Sequence, residues 1–168
     1  MNLEHQPITP VLFITLCALL CVPIFFPQFR LTYFAPFMII LLYQQTRLFC
    51  LWAALVVGTV LDILSDHSNL GLHAIAYALA VFLLYGQRFH FFADSLTTLP
   101  IMTFFFAMLS TTAYALLLYL FEHRDLFSFA WIFSDLFMMS AGDALYAWIL
   151  FVLPVWYMAR TKLFRSRA

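Results

Sequence analysis

The chain is short of everything from which a water-facing surface is made. Only 10% of its 168 residues are charged, against 65% hydrophobic, and the mean hydropathy is +0.97. Soluble domains carry about 25% charged residues, so these side chains do not cover a fold in water. A charge excess is missing too, since eight Lys and Arg meet eight Asp and Glu. Nucleic-acid binding needs a clustered basic surplus and is excluded on that ground. Glycine is limited to four and cysteine to three. Cys17, Cys21 and Cys50 all fall in apolar runs and offer neither a disulfide framework nor a zinc site. A Gly-rich phosphate loop, an HExxH pair and a Gly-x-Ser-x-Gly elbow are lacking, and with them the chemistries they carry. These absences lead to the expectation of one polytopic membrane domain over residues 1–168, without catalytic, cofactor or metal residues.

What is present is long apolar sequence. A span needs about 20 mostly apolar residues to cross about 30 Å of hydrocarbon. Runs of that kind cover Ile8–Phe26, Gln28–Gln45, Leu48–Leu64, Leu70–Tyr85, Leu96–Phe121 and Leu136–Met158. They are continuous rather than alternating, so they read as helices and not as barrel strands. Met1–Pro7 has no Lys or Arg, so the first run is expected to stay as a helix rather than leave as a signal peptide. The fold class is therefore an all-α bundle of six short-looped transmembrane helices, with five as the alternative. The second run is the weak one: Leu31–Tyr43 alone is free of strongly polar side chains, and Pro36 sits inside it. We expect it to cross nonetheless, with Arg30 and Gln44 reaching the interfaces.

With six spans and a cytoplasmic N-terminus, Arg47, Arg88, Arg160, Lys162, Arg165 and Arg167 lie inside and Arg30 and Arg124 outside. Five spans move Arg30 inward and the N-terminus outward. In both arrangements the tail Arg160–Arg167 is cytoplasmic, and Ser65–Asn69 and Glu122–Asp135 face out. Tyr85–His90 then reads as a cytoplasmic turn with an interfacial Tyr and Arg. The apolar stretch Leu126–Phe133 is an interfacial segment, an extension of the last helix or a partner-binding strip. Cys17 and Cys21, at i and i+4, read as small packing residues.

Ionisable residues inside spans are costly and therefore informative. Asp62 lies near the end of the third run, His73 in the first turn of the fourth, and Asp143 beside Gly142 in the last. A carboxylate at a helix C-terminus is disfavoured by the macrodipole. The free N–H groups of the next helix, six to nine residues on, are its natural partners. We read Asp62 as the lock of a hairpin, with Ser68 or Asn69 capping the second helix and Gly71 permitting close backbone approach. On that reading Asn at position 62 keeps an acceptor and largely preserves the protein. Asp143 after Gly142 reads similarly, as a small residue at a helix contact with a carboxylate facing the bundle.

Gly58-x3-Asp62-Ile63-Leu64, a polar turn, then Leu70-Gly71-Leu72-His73-Ala74 and Tyr77 together resemble the signature of the MreD family, the small membrane proteins of the bacterial rod-shape system. The motif covers about twenty residues, while the short-looped helical architecture covers the chain. The resemblance implies a non-enzymatic scaffold of the bacterial inner membrane. Its partners would be a bitopic MreC-like protein, the MreB cytoskeleton, and RodA with its transpeptidase partner, acting together in lateral peptidoglycan synthesis and cell shape. It also implies similarity to the six-helix substrate-binding subunits of energy-coupling-factor vitamin transporters. The alternative function follows from that similarity: a substrate-binding subunit with the outward turn near a vitamin pocket.

Overall fold

The computed structural model describes residues 8–25, 32–64, 71–88, 97–122 and 131–153. Every regular element among them is a helix: α1 (Ile8–Phe25), α2 (Ala35–Gln44), α3 (Arg47–Leu64), α4 (Leu72–Gln87), α5 (Thr98–Glu122) and α6 (Ile132–Val152). Continuous apolar sequence without strand alternation produces this outcome. Pro36 and Pro100 both sit in first turns, where an amide would have no intrahelical acceptor. Among the described residues three helices are long and apolar enough to cross a membrane: Arg47–Leu64, Thr98–Phe121 and Ile132–Val152.

The second run departs most from expectation. Pro36 is not in the middle of a helix but near the start of one, and α2 has only 10 residues, about 15 Å. That is half a hydrocarbon thickness. Its environment compensates, because every residue from Ala35 to Leu42 is buried. α2 is the buried axis of the bundle, touching α1, α3, α4 and α5. Around it the longer helices pack in chain order, α3 on α4, α4 on α5 and α5 on α6. Met38, Ile39, Ile40 and Leu42 from α2 join Cys50, Ala54, Val81 and Phe106 in one core.

The outside is as apolar as the inside. Leu48, Phe49, Trp52 and Val56 of α3, Phe82 and Leu83 of α4, and Leu120 and Phe121 of α5 are all exposed. Apolar exposure on this scale suits lipid and not water. Cys17 and Cys21, expected to pack, are exposed on α1, and Cys50 alone of the three is buried. A shallow apolar groove opens between α5 and α6, floored by Ala141 and Ala144 and walled by Phe104, Phe105 and Trp148.

α6 begins earlier than the expected Leu136, since Trp131, Ile132 and Phe133 are already helical. The C-terminal part of the 126–133 stretch therefore extends the last helix, and 126–130 lie outside the described residues. Helix α6 is π-wound over Ile132–Met138 and Trp148–Val152, with the α-helical segment Met139–Ala147 between them.

Because α2 is buried rather than facing lipid, truncating its side chains should cost far more than truncating an exposed leucine. Met38→Ala or Leu42→Ala should lower stability in detergent by about 2–5 kcal/mol. Leu48→Ala should change it by about 0.5 kcal/mol or less. Equal losses in denaturant titrations would show that α2 is not the core.

Candidate functional site: two carboxylates at helix starts

The first site joins α3 to α4. Gly58 and Asp62 share one face of α3, one turn apart. A Cβ at Gly58 would stand 2.6 Å from the amide nitrogen of Ala74 and 2.8 Å from the carbonyl carbon of His73. No side chain fits there, so α4's first turn lies directly against the α3 backbone. This close approach sets Asp62 under the start of α4. The carboxylate is buried, 3% exposed, and both oxygens are used. Oδ2 accepts the amides of Gly71 at 2.9 Å and Ala74 at 3.3 Å. Oδ1 accepts the amide of His73 at 3.1 Å and lies 2.7 Å from the His73 ring Nδ1.

Asp62 thus sits near the negative end of its own helix and at the positive end of the next. The second arrangement prevails because α4 presents unpaired N–H donors at hydrogen-bond distance, whereas the α3 dipole acts without contact. The hydrogen bonds between this carboxylate and the next helix are those expected. Two details differ. Gly71 does not serve close approach, as nothing lies within 4 Å of where its Cβ would be; its φ of +102° is what favours glycine. Gly71 also holds the N-cap position of α4, and Ser68 and Asn69, the expected caps, lie outside the described residues.

His73 is fixed twice, by Asp62 at Nδ1 and by Tyr114 of α5, whose ring stacks on it at 4.3 Å between centroids. A carboxylate holding Nδ1–H presents Nε2 as the acceptor nitrogen. Tyr77, one turn further along α4, is buried with its ring edge-on to Phe106 at 5.2 Å. The motif residues Gly58, Asp62, Gly71, His73 and Tyr77 therefore form one fastened hairpin held against α5.

Asp143 belongs to a second site, at the start of α2. It is 1% exposed, and its Oδ1 accepts the amide of Thr32 at 2.7 Å. The carbonyl of Thr32 in turn accepts the amide of Ala35. Tyr146, one residue short of a turn on, donates its hydroxyl to the carbonyl of Tyr33 at 3.4 Å. Gly142 lies beside Asp143, half-buried. At the other end of α2, the Arg88 guanidinium donates to the carbonyl of Leu42 at 2.7 Å, and the Tyr43 hydroxyl donates to the Arg88 carbonyl at 3.4 Å. A carboxylate at the N-terminus and a guanidinium at the C-terminus both match the helix dipole.

Arg88 and Thr32 carry this second site, and neither stood out in the sequence. Arg88 read as an interfacial residue, although a lone cation just after an apolar run is itself a signal for fastening carbonyls. Thr32 and Tyr114 gave no such signal, because long-range contacts alone make them important. Among the described residues no group of three or more His, Cys, Asp or Glu side chains is placed to hold a metal ion. Comparison with protein-family models, with characterised proteins and with solved structures gave no match.

Two used oxygens change what substitution at Asp62 should do. Asn supplies one oxygen and turns an NH2 group toward the other donors, so it no longer counts as a preserving change. Asp62→Ala should cost about 1–3 kcal/mol or more for the donors left buried, with Asp62→Asn between Ala and the parent. Gly58→Ala should be at least as damaging as Asp62→Ala, because backbone must move. Thermal unfolding in detergent checks this ranking, and a harmless Gly58→Ala would contradict it.

Proposed function

We propose that this chain is a non-enzymatic scaffold of the bacterial rod-shape complex, an MreD-like protein of the inner membrane. The observation that carries the reading is the α3–α4 hairpin. The residues of the resemblance, Gly58, Asp62, Gly71 and His73, meet in one unit, with a helix contact at Gly58 and a carboxylate clamp one turn beyond. Both buried carboxylates are engaged in holding helix starts, which fits a protein that acts by assembly rather than turnover.

In this reading all six helices cross or enter the bilayer, the bundle resembling the substrate-binding subunits of energy-coupling-factor transporters. Arg47 stacks over the Phe82 ring at 4.2 Å and Arg88 over Tyr85 at 4.0 Å, so the two cations gather where α3 begins and α4 ends. That end is the cytoplasmic one by the positive-inside rule, and it holds both termini. The hairpin clamp then lies at the outer end. The partners are a bitopic MreC-like protein, the MreB cytoskeleton, and RodA with its transpeptidase.

Depletion of the protein in a rod-shaped host should give rounded, widened cells. Affinity purification in mild detergent should recover the bitopic partner and the wall synthases. Loss of vitamin uptake with unchanged cell shape would replace this reading with the transporter one.

A further inference from the structure

Three buried Ser and Thr hydroxyls of this bundle follow one habit. Thr15 donates to the carbonyl of Leu12 at 2.8 Å, Thr103 to that of Leu99 at 2.7 Å and Ser110 to that of Ala107 at 3.1 Å. Each returns to its own helix, which satisfies a hydroxyl inside an apolar bundle. Ser140 does not. It is 0% exposed, and its Oγ has no hydrogen-bond partner. The carbonyls it would ordinarily take, those of Leu136 and Phe137, belong to the π-wound turn before it. π-Winding inside long helices often marks functional sites, and α6 is π-wound on both sides of the segment that holds Ser140.

Asp143 stands three residues on and faces the same side of the helix. Its carboxyl is engaged by Thr32, and no Lys, Arg or His among the described residues pairs with it. Tyr146, on the same helix, donates its hydroxyl to the carbonyl of Tyr33, next to Thr32. A buried carboxylate and an unpaired hydroxyl on one face present hard anionic and neutral oxygen donors together. The buried charge and the unpaired oxygen are two separate needs. One alkali cation seated between them meets both needs, as hard cations take oxygen ligands of this kind.

We propose that Asp143 and Ser140, with oxygen atoms of the Thr32–Tyr33 segment, form a binding site for one monovalent alkali cation inside the bundle. The site is independent of the scaffold reading and stands or falls apart from it.

The test is thermal unfolding of the full chain in neutral detergent, in sodium, potassium or choline chloride at one pH and one ionic strength. The parent should unfold about 2–4 °C higher in sodium or potassium than in choline. Ser140→Ala, which removes the hydroxyl with little change of volume, should lose at least half of that difference. Asp143→Asn should lose it entirely; if that variant does not accumulate, Ser140→Ala decides. Equal midpoints for the parent in all three salts would overturn the proposal. So would an alkali-dependent rise that survives undiminished in Ser140→Ala, since the cation would then bind elsewhere.

Discussion

In a bundle with so few charges, the governing constraint is that every polar group taken from water must find its partner inside the protein. Helices satisfy their interiors automatically, but each leaves unpaired amides at its start and carbonyls at its end. Here the scarce charges meet that need. Asp62 takes the amides at the start of α4, Asp143 takes the amide of Thr32 ahead of α2, and Arg88 takes a carbonyl near the end of α2. Each of these charges sits where the dipole of the helix it fastens favours its sign. The arrangement solves two problems at once, because the charge is compensated and the helix end is satisfied.

Helix α2 depends on this most. Ten residues make a poor membrane span and, in isolation, a marginal helix. Packed on all sides, with Asp143 ahead of its start and Arg88 at its end, it becomes the core that the longer helices surround. The same logic explains the spacing of Gly58 and Asp62. A clamp across two helices works only if the backbones come close, and glycine one turn before the carboxylate lets them do so. Removing either residue therefore undoes the other's contribution.

Much of this was legible in the sequence. Long apolar runs located α1, α3, α4 and α5 to within a few residues, because lipid-like helices need no finer pattern than continuity. The rarity of intramembrane charge marked Asp62, His73 and Asp143, and the dipole argument gave Asp62 its partners. Other features were not legible, for physical reasons. Pro36 looked like an interruption because its meaning depends on whether a helix starts there, and burial of α2 on every side leaves no periodic face to read. Close approach fell to Gly58 rather than to Gly71, since close approach and left-handed backbone both select glycine and only geometry separates them. Arg88 became a fastening residue only through a contact with a carbonyl 46 positions earlier.

The central claim is that buried carboxylates hold the starts of neighbouring helices, and amide hydrogen exchange reads those bonds directly. In the parent protein the amides of Gly71, His73, Ala74 and Thr32 should be protected well beyond the level of a frayed helix end. Asp62→Ala should release Gly71, His73 and Ala74 while leaving Thr32 slow, and Asp143→Ala should do the reverse. Rapid exchange at these amides in the parent, or release of all of them together in either variant, would contradict the account.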